Sequence, residues 1–296
     1  MKSLFLPVLI VLVSGLLACG PSAAVQDAQG GPQPVVRAEP AGAAGETGRF
    51  LALSGALTLS VETADGVIEV RLAEIDTPVP EAASAQLALW LEGEEVSLIY
   101  SGLRRDRYDR ALAQVRINAP RNGRRDDRLP GGDDGTGPSD WLQYRLLEAG
   151  LARVMTHADN HAHAADLLAV EARARSQGVG LWSDPANRIR DSHPDALAQD
   201  VGSAQIVAGR VLDAVQLDSG RIYLNFGSDY RTDFTVRIDA EDSEAFNAAG
   251  LTPDTLEGRR VRVRGWLSDE NGPMMTLDHP ARLEVLDETS DPVIAR

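Results

Sequence analysis

From Phe50 to Leu286 the apolar residues come in short runs, each broken by glycine, proline, aspartate or asparagine. Runs of this kind, rich in valine, isoleucine and leucine, read as strands, so the chain is confined to a mostly β architecture with a few helices. Phe50–Val61 and Val67–Ile75 are expected as two strands joined by a turn at Ala64-Asp65-Gly66, and Glu94–Tyr100 and Tyr108–Ile117 as two more. Helical spacing marks Glu81–Leu91, through Ala82, Ala85, Leu87, Leu89 and Trp90. It marks Trp141–Ala149, closed by Gly150, and Ala162–Ser176, with Leu167, Leu168 and Val170 on its apolar side. Asn118–Pro138 is polar and reads as an exposed loop.

Pro194 lies in a linker near Arg188–Ser203. Beyond it, strands are expected at Ile206–Val215, Arg221–Phe226, Asp233–Ile238, Arg260–Leu267, Met274–Leu277 and Arg282–Leu286, with a short helix at Ser243–Ala249. Strands in this number with one helix suggest a second, small barrel. The divisions expected are a leader at 1–19, a tether at 20–48, a first domain at 49–191, a linker at 192–203, a second domain at 204–288 and a tail at 289–296.

The chain has a single cysteine, Cys19, which excludes an intramolecular disulfide and a cysteine-based metal site. Aromatic content is 5% against 43% hydrophobic, so the cores must be built from aliphatic side chains. Net charge is -15 and Lys2 is the sole lysine. That balance opposes long-range attraction to nucleic acid, whose affinity rests on phosphate neutralisation. Arg104–Arg128, with nine arginines and four aspartates, is a basic island. It is either a phosphate-binding face or a solvated loop of Arg–Asp pairs.

At the amino terminus, Lys2 precedes the apolar run Leu4–Leu17. The run is shorter than the roughly 20 residues that span a bilayer and suits an export signal. Leu16-Leu17-Ala18-Cys19-Gly20 resembles a bacterial lipobox. The resemblance implies lipid attachment at Cys19 and a protein held on the periplasmic face of a cell-envelope membrane, with the outer membrane favoured by Gly20. Pro21–Gly48, rich in alanine, glycine, proline and glutamine, reads as the flexible tether.

Val70–Pro78 (VRLAEIDTP) resembles the most recognisable segment of the staphylococcal nuclease (thermonuclease) family. DRYDRALAQV (Asp106–Val115), WLQYRLLEAGLARV (Trp141–Val154) and LLAVEARARSQGVGLW (Leu167–Trp182) resemble further family segments, in family order. The resemblance implies a five-stranded OB barrel with three helices. YLNFGSDYRTDFTVRI (Tyr223–Ile238) and Leu256–Leu286 resemble an OB-like domain attached to some bacterial nuclease-family proteins.

In that family two arginines meet the charge that builds on the phosphorus oxygens, carboxylates hold calcium, and a further carboxylate activates water. The resemblance places the arginines at Arg71 and Arg110, a calcium ligand at Asp76 and a substrate-contacting tyrosine at Tyr108. Two positions depart from the pattern. The family's second calcium ligand falls at Ala56, within Ser54-Gly55-Ala56-Leu57, and its general base falls at Val79. Glu81 could reach toward the base position from the loop if Val79-Pro80 bends to bring it there. A different reading of the same residues is a surface network pairing Arg71 and Arg110 with Asp76, Asp106 or Asp109.

Two functions follow from this set. One is an envelope lipoprotein that holds phosphate or nucleic acid weakly, with calcium weak or absent and catalysis low or lost. The other is a metal-dependent phosphodiesterase using Asp76, Arg71, Arg110 and a relocated base, Glu81. Tyr223, Phe226, Tyr230, Phe234 and Trp266 form either a stacking platform for single strands or the second core. His157, Asp159, His161 and His163 are either transition-metal ligands or the polar start of a helix.

Overall fold

The computed structural model describes residues 44–118 and 140–287. The leader, Cys19, most of the tether, the tail and the loop arginines from Arg121 to Arg128 lie outside the described residues.

The first domain is a closed barrel of five strands in the order β1-β2-β3-β6-β5. These strands are β1 (Ala44–Gly55), β2 (Thr58–Thr63), β3 (Gly66–Leu72), β5 (Glu95–Ile99) and β6 (Ala111–Ile117). Strand alternation turns Leu59, Val61, Val70, Leu72, Val96, Leu98, Ala113 and Val115 into one buried cluster. The expected strand Phe50–Val61 is in fact a hairpin, turning at Ala56-Leu57. β1 also reaches back to Ala44, into the stretch read as tether, because its residues pair with both β2 and β5.

α1 (Pro80–Leu91) starts with proline at its first turn, where a missing N–H is harmless, and buries Ala83, Leu87 and Leu91 at a four-residue spacing. α2 (Leu142–Glu148) is fastened to the barrel by Gln143. Gln143 Oε1 accepts from Val115 N at 3.1 Å and its Nε2 donates to Ala113 O at 2.9 Å, so one side chain stands in for a neighbouring strand along β6. The short strands β4 (Ile75–Asp76) and β7 (Arg153–Val154) pair with each other outside the barrel.

α3 (Ala164–Ser176) is followed by a 3-10 turn, Gly180–Ser183. Gly150 and Gly180 both have positive φ; a Cβ on Gly150 would strike the carbonyl of Val179, and one on Gly180 would strike Gly150 O. Glycine at both is what lets Leu181 N donate to Gly150 O at 2.8 Å and seats Trp182 beside the barrel.

The second domain is an eight-stranded sheet running β10-β11-β12-β14-β13-β9-β8, with β15 on β13. The strands are β8 (Arg190–Asp191), β9 (Ser203–Arg210), β10 (Asp213–Gln216), β11 (Ile222–Asn225), β12 (Thr235–Ile238), β13 (Arg260–Asp269), β14 (Pro273–Leu277) and β15 (Leu283–Val285). It curls as a half-barrel around a second core that includes Phe226, Phe234, Phe246 and Val263. α4 (Pro194–Leu197), α5 (Ser243–Ala248) and α6 (Pro253–Leu256) complete it.

The stretch read as a linker is structured. β8 pairs with β9, and Leu197 is fully buried in the second core, which draws residues 190–200 into the domain. The fold class expected from sequence therefore holds: an OB-type barrel with helices, then a second small β domain. Among the described residues no helix is long and apolar enough to cross a membrane.

Candidate functional site

Arg71 sits on β3, paired with Thr58 on one side and Leu112 on the other. Its guanidinium is held by backbone carbonyls: Nη1 donates to Leu57 O at 3.5 Å and Leu72 O at 3.3 Å, and Nη2 to Ile75 O at 3.3 Å. Nη2 also lies 3.7 Å from Asp76 Oδ1. Burial lowers the Arg71 pKa; Asp76 opposes that, and Arg110 and Asp106 act on it next. The two arginines and two aspartates thus share one electrostatic neighbourhood at the barrel rim.

Arg110 is placed by a turn rather than by the strand expected to begin at Tyr108, since β6 starts only at Ala111. Asp106 organises that turn. Its Oδ1 accepts from the backbone N–H groups of Tyr108 (2.9 Å) and Arg110 (3.0 Å). Its Oδ2 accepts from Arg110 Nε at 2.8 Å and lies 2.7 Å from Nη2. Burial alone would raise the Asp106 carboxyl, but the bonds from Arg110 and Tyr108 overcome it and hold the carboxyl below its ordinary value. Tyr108 is 63% exposed, with the guanidiniums of Arg107 and Arg110 at 4.8 and 5.1 Å from its ring centroid. The pairing of Arg71 with Asp76 and Arg110 with Asp106 is real, but Arg71 and Arg110 are both partly buried rather than free on the surface.

Asp76 faces a second cation that the sequence motifs did not single out. β4 lies antiparallel to β7, so Asp76 opposes Arg153, whose Nη2 stands 4.0 Å from Asp76 Oδ2. The same Nη2 donates to Ala204 O, in β9 of the second domain, at 2.7 Å. Burial lowers the Arg153 pKa and Asp76 partly offsets this. A two-residue strand carries too weak a pattern to be read from sequence, so the pairing of Asp76 with Arg153 was not legible there.

The position expected to carry the base is apolar in its surroundings as well as in its identity. Val79 packs with Val179 and Ile189 against Ala174, Leu181, Trp182 and Ile206. Thr77 fixes this segment by donating from Oγ1 to Leu151 O at 2.7 Å and accepting from Val79 N at 3.1 Å. Glu81 lies in the first turn of α1, exposed, and bonds to neither Arg71 nor Arg110. Ala56 occupies the β1–β2 turn.

Calcium takes about six to eight oxygen ligands, carboxylates prominent among them. Asp76 meets two guanidiniums, Ala56 offers no oxygen from its side chain, and no group of three or more metal-ligating side chains occurs among the described residues. This donor set does not fit calcium.

The histidines at the start of α3 do not converge either. His161 stacks on His279 of the second domain at 4.8 Å between centroids. His163 lies against Trp141 at 5.4 Å. His157 Nδ1 is 3.4 Å from Arg282 Nη2, and burial followed by Arg282 lowers its pKa. The aromatic set divides as well: Phe226 and Phe234 are core, while Tyr230 and Trp266 are exposed.

A closed five-stranded barrel with helices packed on it carries two arginines and an aspartate at its rim. Residues 69–184, which take in β5, β6 and most of β3 of that barrel and the helices packed on it, match the family model for staphylococcal nuclease homologues. No curated protein matches the chain.

Proposed function

We propose that the barrel domain binds a phosphate-bearing ligand, a nucleic acid strand, through Arg71 and Arg110, with little or no hydrolysis. The observation that carries this reading is the state of Asp76. Its carboxylate is shared between Arg71 and Arg153, while the neighbouring ligand and base positions are Ala56 and Val79. Phosphate recognition and water activation use different residues, so the first can persist without the second. Arg71 and Arg110 are pre-positioned by carbonyls and by Asp106, which suits them to donate to a diester oxygen without reorganisation. Attachment through lipid on Cys19 would hold this module at the cell envelope, on the periplasmic face.

The test uses the full chain in detergent, a fluorescent oligothymidylate and a nuclease assay with calcium or magnesium. Weak binding lost in Arg110→Ala, without metal-dependent cleavage, is the expected result. Strong cleavage by the unaltered protein, abolished by Glu81→Gln, would overturn it and establish Glu81 as the base.

A further inference from the structure

The second domain presents one face of β9 and β13 to the barrel domain. Their register is regular from Ser203↔Leu267 to Arg210↔Arg260, so Arg262, Arg264 and Trp266 share that face with Ala204, Ile206 and Ala208. Arg264 is fully buried on Glu171 and Val154 O, and Ile206 is buried near Val79. Trp266 is the exception on this face: it is 60% exposed. Its strand partner is Ala204, the residue whose carbonyl holds Arg153. Partnered Cα atoms in an antiparallel pair are about 4.5–5.5 Å apart, so the Trp266 backbone lies within about 10 Å of the Arg153 guanidinium. That guanidinium touches Asp76, which touches Arg71.

An exposed indole one strand away from a cluster of three arginines has the layout of a single-strand subsite, in which cations take the phosphates and an aromatic face takes a base. We propose that Trp266 stacks an unpaired nucleobase of the strand whose phosphate rests on Arg71 and Arg110. The second domain then supplies the base contact and the barrel the phosphate contact. This rests on the phosphate-binding reading above. DNA and RNA strands share the chemistry, since every base offers a π-face.

The test measures binding of full-length protein to octathymidylate, to octauridylate and to an abasic octamer of equal charge. Trp266→Ala should weaken both base-bearing oligomers about tenfold, in line with the loss of one stacked base, and leave the abasic one unchanged. Trp266→Phe should keep most of the difference. A loss for octathymidylate alone, or for octauridylate alone, would assign the site to DNA or to RNA and support the stacking. Arg110→Ala should weaken all three oligomers alike. If Trp266→Ala binds every oligomer as the wild type does, the stacking role is wrong while the phosphate site stands. If the wild type binds none of them, or Arg110→Ala changes nothing, the phosphate-binding reading fails and the stacking role falls with it.

Discussion

Glu171 and Arg264 are each fully buried and bind one another across the two domains, with Arg264 Nη1 3.2 Å from Glu171 Oε2. Glu171 also accepts from Val154 N at 2.6 Å, and Arg264 Nη2 donates to Glu284 at 2.6 Å. Burial alone would lower the Arg264 pKa, but Glu171 and Glu284 overcome it and hold the pKa above its ordinary value.

Removing one member leaves the other buried with a single remaining ion-pair partner, Arg175 for Glu171 and Glu284 for Arg264, so the cost should approach the about 3–5 kcal/mol of a broken buried pair. Arg264→Met and Glu171→Leu should each lower the unfolding free energy by up to that order. The double change should cost less than the sum, because neither member of the fully buried pair is then left facing an apolar side chain. Urea denaturation of the four proteins measures this; strict additivity would contradict the coupling.

Glu74 links stability to pH. It lies in the β3–β4 turn with φ 64, is buried, and accepts from His163 N at the start of α3. Burial raises its carboxyl from 4.5 to about 7. The folded chain therefore keeps a proton that the unfolded chain releases. This favours folding below pH 4.5, and the contribution is lost as pH rises through about 7. At about 1.4 kcal/mol per pKa unit, the swing is about 3 kcal/mol at most. Glu74→Gln should flatten the stability profile between pH 4.5 and about 7 and make the protein more stable than wild type above that window. An unchanged slope would show that Glu74 is not the group responsible.

Calcium should bind weakly or not at all to the unaltered chain, since Asp76 is already engaged by two arginines. Titration calorimetry showing affinity in the micromolar range, as order of magnitude for a sensor-type site, would contradict this. Restoring the family's groups is expected to be uneven. Ala56→Asp adds a carboxylate at a half-buried position of the β1–β2 turn. Val79→Glu puts one beside Leu181, Trp182 and Ile206, and should cost about 1–3 kcal/mol. The double variant should gain cleavage only if that region yields, so its melting temperature should be measured with its activity.

Cys19→Ser should release the protein from membranes or leave it unprocessed. Unchanged membrane attachment and mature size, by fractionation and mass, would rule out lipid attachment at that residue.

The barrel was readable because its information is local. VRLAEIDTP fixes Arg71 and Asp76 within one strand and turn, and α1 was legible as a helix, although of the apolar positions expected there only Leu87 is buried and the inner face is Ala83, Leu87 and Leu91. The β1–β2 hairpin was missed because Ala56-Leu57 carries an apolar signal through the turn itself. Residues 192–203 looked like a linker because Leu197, the large apolar residue that buries there, stands in a stretch with no strand or helix periodicity. Arg153 escaped for a different reason. Its role comes from a two-residue strand and from a contact between domains, neither of which leaves a periodicity in the chain.

The bond from Arg153 to Ala204 O means that the rim of the barrel is finished by the neighbouring domain. Cutting the chain before β8 would strip Arg153 of its anchor, uncover Val79 and Trp182, and leave Glu171 without its buried cation. The two halves should therefore melt in a single cooperative transition, and the barrel cut free of its neighbour should be the less stable of the two forms.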